Sequence, residues 1–381
     1  MHILIAPNAF KNSLTARQVA LAIRKGLQLS KLSCTIECFP VGDGGDGTAQ
    51  LIIDKFNGSI VNVKVSDPLN RVVNTSFGLI EKKKTAVIEM ADASGIRLMQ
   101  VSELNPLQTN TVGTGEMILA ALDKGVSKII IGLGGSATVD GGAGMLSALG
   151  VRFLDHNGKV LSSRPAELSK LDSIDISNLD QRIFKCSITV LCDVDNYLLG
   201  KEGSAAIFGP QKGAKGSDVV NLDALLAKIS SLGFKQTGRR MDKVKHGGAA
   251  GGVAAALYAF CHAELVAGAE HFLQISNFGR SLRKSELVIT GEGSLDLQTL
   301  QGKAPYAVSI MAKERNIPVV GIAGRVPKSR NQQLEKYFDV LLAIGHEPSE
   351  LSVAIADTNA NLIRTGALIG NLFSLNRNKI T

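Results

Sequence analysis

Tryptophan is absent from the 381 residues, and aromatic side chains make up only 4% of the chain. Platforms on which successive bases stack are therefore scarce, which argues against nucleic acid as a partner. Cysteine is also sparse: Cys34, Cys38, Cys186, Cys192 and Cys261 are odd in number, form no C-x-x-C pair and mostly sit in apolar runs. They read as reduced core residues of a cytoplasmic protein rather than a disulfide framework. The six histidines show no ligand spacing, so a zinc site is not expected. The best membrane candidate, residues 247–261, is rich in small residues and too short to span, and MHILIAPNAF lacks the basic start of a signal peptide. No membrane partner is expected.

Acidic residues are outnumbered by 42 Lys and Arg to 34 Asp and Glu, a formal charge of +8. The only triple basic run, Lys82 to Lys84, reads as a solvated turn between strands, so the excess points to a small anionic metabolite. Glycine, by contrast, is abundant at 40 residues, clustered after apolar runs. That placement suits an α/β architecture with tight strand-to-helix turns.

Residues 3–6 form an apolar strand followed by a polar loop and an amphipathic helix, Ala16 to Leu27. Thr35 to Val41 gives a second strand, and Asp43 to Phe56 a loop and helix. The same alternation resumes with strands at Leu287 to Thr290, Pro318 to Ala323 and Val340 to Ile344, between helices at Ala304 to Glu314, Arg330 to Tyr337 and Leu351 to Phe373. Between these ends, Ile60 to Val65, Val72 to Leu79 and Thr85 to Glu89 look like successive strands with polar turns, hence antiparallel or mixed pairing. The expected organisation is a doubly wound parallel sheet built from 1–58 plus 285–381, with a mixed α/β domain, 59–284, inserted between them.

Five polar loops follow strand-like runs, and the carboxyl ends of parallel strands are where ligands bind. Lys128 to Met145 feeds an apolar strand into a glycine-rich loop carrying Gly134, Gly135, Ser136, Thr138 and Asp140, a cradle sized for phosphate. Lys11, in the first loop beside Asn8 and Ser13, places a cation where it can reach a transferring phosphate. Asp43 and Asp46 bracket two glycines, while Asp193 and Asp195 follow a buried run at a spacing that suits Mg²⁺ or a substrate hydroxyl. Thr290 to Lys303 concentrates Glu292, Asp296 and Lys303 at a strand-to-helix junction, too many polar groups for capping alone. The expected site lies between the two domains. A P-loop is excluded because Gly302-Lys303 is followed by Ala304. Gly132, Gly134 and Ala137 match G-x-G-x-x-A, yet the acidic partner of a nicotinamide fold is missing about 20 residues on.

These segments closely resemble the class I glycerate kinase family of bacteria. The likeness runs in order through APNAFKNSLTA at 6–16, PVGDGGDGT at 40–48, LGGSATVDGGAGML at 133–146, CDVDNYLLG at 192–200, FGPQKGA at 208–214 and ITGEGSLDLQTLQGKAP at 289–305. It implies a flavodoxin-like domain with an insertion, and ATP- and Mg²⁺-dependent phosphorylation of D-glycerate to 2-phosphoglycerate by a monomer or homodimer. Two positions depart from the family pattern: Asn8 replaces an aspartate, and Asp46 replaces a common glutamate. Asn8 can hydrogen-bond a hydroxyl but cannot act as a base, so the proton acceptor is expected among Asp193, Asp296 and Asp43.

On this reading Lys11, Asp193 and Asp296 are catalytic, and Asp195 and Glu292 hold the metal. Asn8, Ser13, Asp43, Gly134, Gly135, Ser136, Asp140, Lys212 and Lys303 bind substrate and phosphate, with Lys212 or Lys303 on the glycerate carboxylate. The rival expectations are a catalytically silent sensor of glycerate or nucleotide, motivated by Asn8, and phosphorylation at C3.

Overall fold

The structure, a computed structural model, describes residues 1–377. Its strands in chain order are β1 (His2–Ile5), β2 (Thr35–Cys38), β3 (Ser59–Ser66), β4 (Val72–Ile80), β5 (Thr85–Glu89), β6 (Lys128–Gly132) and β7 (Arg152–Leu154). They continue with β8 (Ser173–Asp175), β9 (Ser187–Cys192), β10 (Glu264–Ala267), β11 (Leu287–Ser294), β12 (Val319–Arg325) and β13 (Val340–Ala343). The chain divides into two compact units, Met1–Asp43 with Ala269–Thr381, and Gly44–Gly268.

The first unit carries a parallel sheet in the order β2-β1-β11-β12-β13. Numbered within the unit this is 2-1-3-4-5, the flavodoxin-like order. Its first helix, Ala16–Leu29, begins where Thr15 and Gln18 cap each other, Thr15 N donating to Gln18 Oε1 at 2.9 Å and Gln18 N to Thr15 Oγ1 at 3.3 Å. Ile23 and Leu27 of that helix share a buried core with Ile3, Ile5, Ile289 and Ile322 of the sheet and with Leu362 of the helix Thr358–Arg377.

The second unit holds a mixed sheet, β10-β9-β6-β5-β4-β3, in which β5, β6, β9 and β10 run parallel and the β3–β4–β5 meander is antiparallel. Phe77, Met117, Ile131, Phe153, Val190 and Phe260 belong to its core. The fold is therefore α/β, a flavodoxin-like parallel sheet split across both chain ends with a mixed α/β insertion.

The unit limits fall at 43 and 268 rather than 58 and 284. The helix Thr48–Lys55 goes with the insertion because Ile53 packs directly over Gly78 of β4. The helix Phe278–Leu282 goes with the parallel sheet, where the rings of Phe278 and Phe39 meet edge-to-face at 5.0 Å. Strand β11 is longer than its apolar run: Thr290 to Glu292 and Ser294 pair with Gly321 to Ala323 and Arg325 of β12. Gly291 permits this, since a Cβ there would lie 1.9 Å from the Ile322 carbonyl oxygen. Glu292 thus sits on a strand, not in a loop.

Candidate active site

In the first unit the strand order reverses between β1 and β11, and at such switch points the segments leaving the strand ends splay apart and leave room for a ligand. The chain leaving β1 is held to β11 by Ala6 N to Ile289 O at 2.7 Å, Asn8 N to Gly291 O at 2.8 Å and Thr290 Oγ1 to Ala6 O at 2.7 Å. Asn8 is 8% exposed and its amide is fixed at both ends. Its Oδ1 accepts from Ala9 N and its Nδ2 donates to Asp43 Oδ2, each at 2.7 Å. Lys11 is exposed at the tip of this segment, next to Asn12 with its φ of 63°. Ser13 turns inward, its hydroxyl donating to Ile355 O at 2.8 Å.

Glu292 is the buried carboxyl of this group at 7% exposure. Thr299 Oγ1 donates to its Oε1 at 3.0 Å, and Lys303 Nζ lies 3.7 Å from the same oxygen. Burial pushes its titration up to about 7, against the pull of Lys303 and with the push of Asp43, while Lys11 also favours the charged form. Asp296 acts locally. Its Oδ1 accepts from Gln298 N at 2.9 Å, capping the single turn Leu297–Leu300, while its own N–H donates to Thr299 Oγ1 at 3.1 Å. The first unit thus brings Asn8, Lys11, Asp43, Glu292 and Lys303 into one electrostatic neighbourhood, with Asp296 shaping the turn beside it.

In the second unit the loop after β6 locks against the glycines that follow Asp43. Gly134 N donates to Gly44 O at 3.0 Å, and a Cβ on Gly134 would stand 2.3 Å from Gly45 Cα. Ser136 Oγ and Thr138 O each accept from Lys212 Nζ at 2.7 Å. Asp140, fully buried, accepts from Thr111 N, Thr111 Oγ1, Gly142 N and Gly144 N at 2.7–3.0 Å. Those donors come from the start of the helix Ala143–Ala148 and from the neighbouring Thr111, so the Asp140 carboxylate knits the loop together from within. Burial nonetheless raises its titration above the ordinary carboxylate range.

Asp193 is half-buried at the end of β9 and faces Lys212 at longer range. Asp195 is half exposed and pairs with Lys245 Nζ at 3.1 Å and His246 Nδ1 at 3.2 Å. Among the described residues no group of three or more His, Cys, Asp or Glu is placed to hold a metal. Glu292 and Asp43 of the first unit are carboxylates that could hold a Mg²⁺ carried on nucleotide phosphates, an ion that needs only one or two protein carboxylates, while Asp195 keeps an ion pair with Lys245.

One carboxyl escaped the sequence reading. Glu89, 4% exposed at the end of β5, accepts from Gly47 N at 2.5 Å and Ala49 N at 3.1 Å, occupying the start of the helix Thr48–Lys55. Burial pushes it up to about 7, and Asp46, hydrogen-bonded to it and 3.2 Å from Arg97 Nη1, pushes the same way. Its signal was present in the sequence as the single acid closing an otherwise apolar strand.

The glycerate kinase family model matches residues 3–374. The chain belongs to the glycerate kinase family. It is an enzyme, a kinase, by that membership. It is 43% identical over 349 residues to the Glycerate 2-kinase of Escherichia coli K12, covering 91% of this chain and 92% of that protein. Against the Glycerate kinase of Halalkalibacterium halodurans it is 40% identical over 375 residues, covering 98% and 99%. A solved structure from Salmonella typhimurium LT2 assigned as glycerate kinase 2 superposes with a TM-score of 0.83 at 40% identity, covering 99% of both chains. This family member also has no helix, among the described residues, long and apolar enough to cross a membrane.

Proposed function

We propose that the protein phosphorylates D-glycerate at the C2 hydroxyl with ATP, giving 2-phosphoglycerate and ADP. The observation that carries the reading beyond family membership is the polar group at the switch point. Exposed Lys11 stands beside buried Glu292 and Asp43, the cation-plus-carboxylate composition that phosphoryl transfer requires. Lys11 would offset charge on the transferring phosphoryl group. Mg²⁺ bound with the nucleotide would neutralise phosphate charge, and Glu292 is the residue to hold it. A carboxylate, Asp43 or Asp193, takes the C2 hydroxyl proton as that oxygen bonds to the γ-phosphorus. The bond to the β-bridging oxygen breaks and ADP leaves. Asp296 supports the turn that carries Glu292's partners Thr299 and Lys303.

The sensor reading rests on Asn8. Its amide donates to Asp43 and so keeps a carboxylate at the site, which favours turnover over silent binding. Coupled measurement of ADP release with D-glycerate and Mg·ATP tests the activity, and phosphorus NMR of the product separates C2 from C3 phosphorylation. Binding without ADP release would return the sensor.

A further inference from the structure

Lys212 ends the turn Pro210–Lys212 and is 2% exposed, yet its ammonium bonds only neutral oxygens, Ser136 Oγ and Thr138 O. Among the described residues it makes no ion pair. The charged groups that face it are Asp140, from the loop after β6, and Asp193, from the end of β9. Asp140 is already shared among four donors. A buried ammonium that bonds directly only to neutral oxygens is expensive to maintain even with two carboxylates acting on it, and an ammonium has three protons to donate, of which these bonds use two.

Two hydroxyls of the loop that carries these oxygens are also incompletely used. Thr138 Oγ1 is buried and has no hydrogen-bond partner. Ser136 accepts from Lys212, which leaves its own O–H to donate. A buried positive charge, an unspent donor hydroxyl and an orphaned hydroxyl together make a receptor for an anionic oxygen.

We infer that the Ser136 hydroxyl receives the carboxylate of glycerate, with Lys212 as a positioning residue that supplies the charge from behind it. The inference rests on glycerate as the substrate. A carboxylate fits better than a phosphate because it carries a single charge, matched by a single lysine. Occupation has a thermodynamic signature. Burial lowers the Lys212 titration to about 7, against the opposing pull of Asp140 and Asp193. An anion at Ser136 favours the charged lysine, so binding at pH 8 draws a proton from solution.

The test is calorimetric titration of the full-length protein with D-glycerate at pH 8, without nucleotide, in buffers of different ionisation enthalpy. Steady-state kinetics of Lys212→Met and Ser136→Ala run alongside. The wild type should take up close to one proton on binding, and Lys212→Met none. Both variants should raise KM for D-glycerate roughly 10- to 100-fold, the loss of a charge-assisted hydrogen bond, while KM for ATP moves less than about threefold. Methionine replaces a buried charge with apolar volume, and Ser136→Ala carries the test if that variant fails to fold. An unchanged KM for glycerate, binding without proton uptake, or a rise confined to KM for ATP overturns the inference. Wild-type protein that releases no ADP with D-glycerate overturns the activity instead, and the binding arms remain readable in that case.

Discussion

Asn8 Nδ2 donates to Asp43 Oδ2 at 2.7 Å, joining the segment that leaves β1 to the segment that follows β2. The other end of the same amide accepts from Ala9 N, so the side chain has one orientation that satisfies both contacts. A carboxylate fixed in this way is pre-organised to bind a hydroxyl or receive its proton. Replacing Asn8 with alanine should lower kcat about tenfold or more and remove the acceptor of the part-buried Ala9 N–H, at about 1 kcal/mol of stability. Asn8→Asp should behave differently. Two carboxyls at this spacing share a proton, so activity at pH 6 should drop relative to pH 8 more steeply than in the wild type, as pH–rate profiles of the two proteins would show.

Lys11 is exposed. Lys11→Ala should therefore cut kcat by roughly a hundredfold while the melting temperature moves by no more than about 2 °C. Thermal unfolding and turnover measured on the same preparation check this, and near-normal turnover would remove Lys11 from the mechanism.

Asp140 should show the reverse pattern. An asparagine there keeps one acceptor and turns an amide toward donors that the carboxylate now satisfies. Asp140→Asn should lose on the order of 3 kcal/mol in urea unfolding, with kcat of the folded fraction changed far less than in Lys11→Ala.

Glu89 makes stability depend on pH. Its folded titration is raised from 4.5 to about 7, first by burial, so the native state holds the proton more tightly than the unfolded chain. That contribution is fully present below about pH 4.5 and is lost as pH rises through 7, on the order of 3 kcal/mol at most. Denaturant unfolding at pH 5 and pH 8 should show the loss, and Glu89→Gln should flatten it. An equal slope in both proteins would assign the effect elsewhere, Glu292 being the group with the same sign.

Much of the fold was legible because its signals are local. Apolar runs gave β1, β6, β9 and β12, and the amphipathic spacing gave the first helix, Ala16–Leu29. The 22-residue helix Gly216–Thr237 and the helix Val253–Cys261 went unread, the second because its run of small apolar residues has no polar face to reveal a period. At the site, residue types were readable and their duties were not. Asp140 and Asp296 carry the same side chain as Asp43, and nothing in the chain order says that the first is saturated by backbone donors and the second caps a turn.

The sequence by itself determined the α/β alternation, the split of the parallel sheet across both chain ends and the family, because each rests on the order of short segments. Tertiary structure decided the state of the charges. Glu292 lies on a strand that glycine lets close against β12, Lys212 is buried on a hydroxyl and a backbone carbonyl, and Asn8 meets a residue 35 positions away. Whether an ionisable group is neutral, paired or held ready for a ligand depends on which oxygens and nitrogens surround it in space, and those neighbours come from distant parts of the chain.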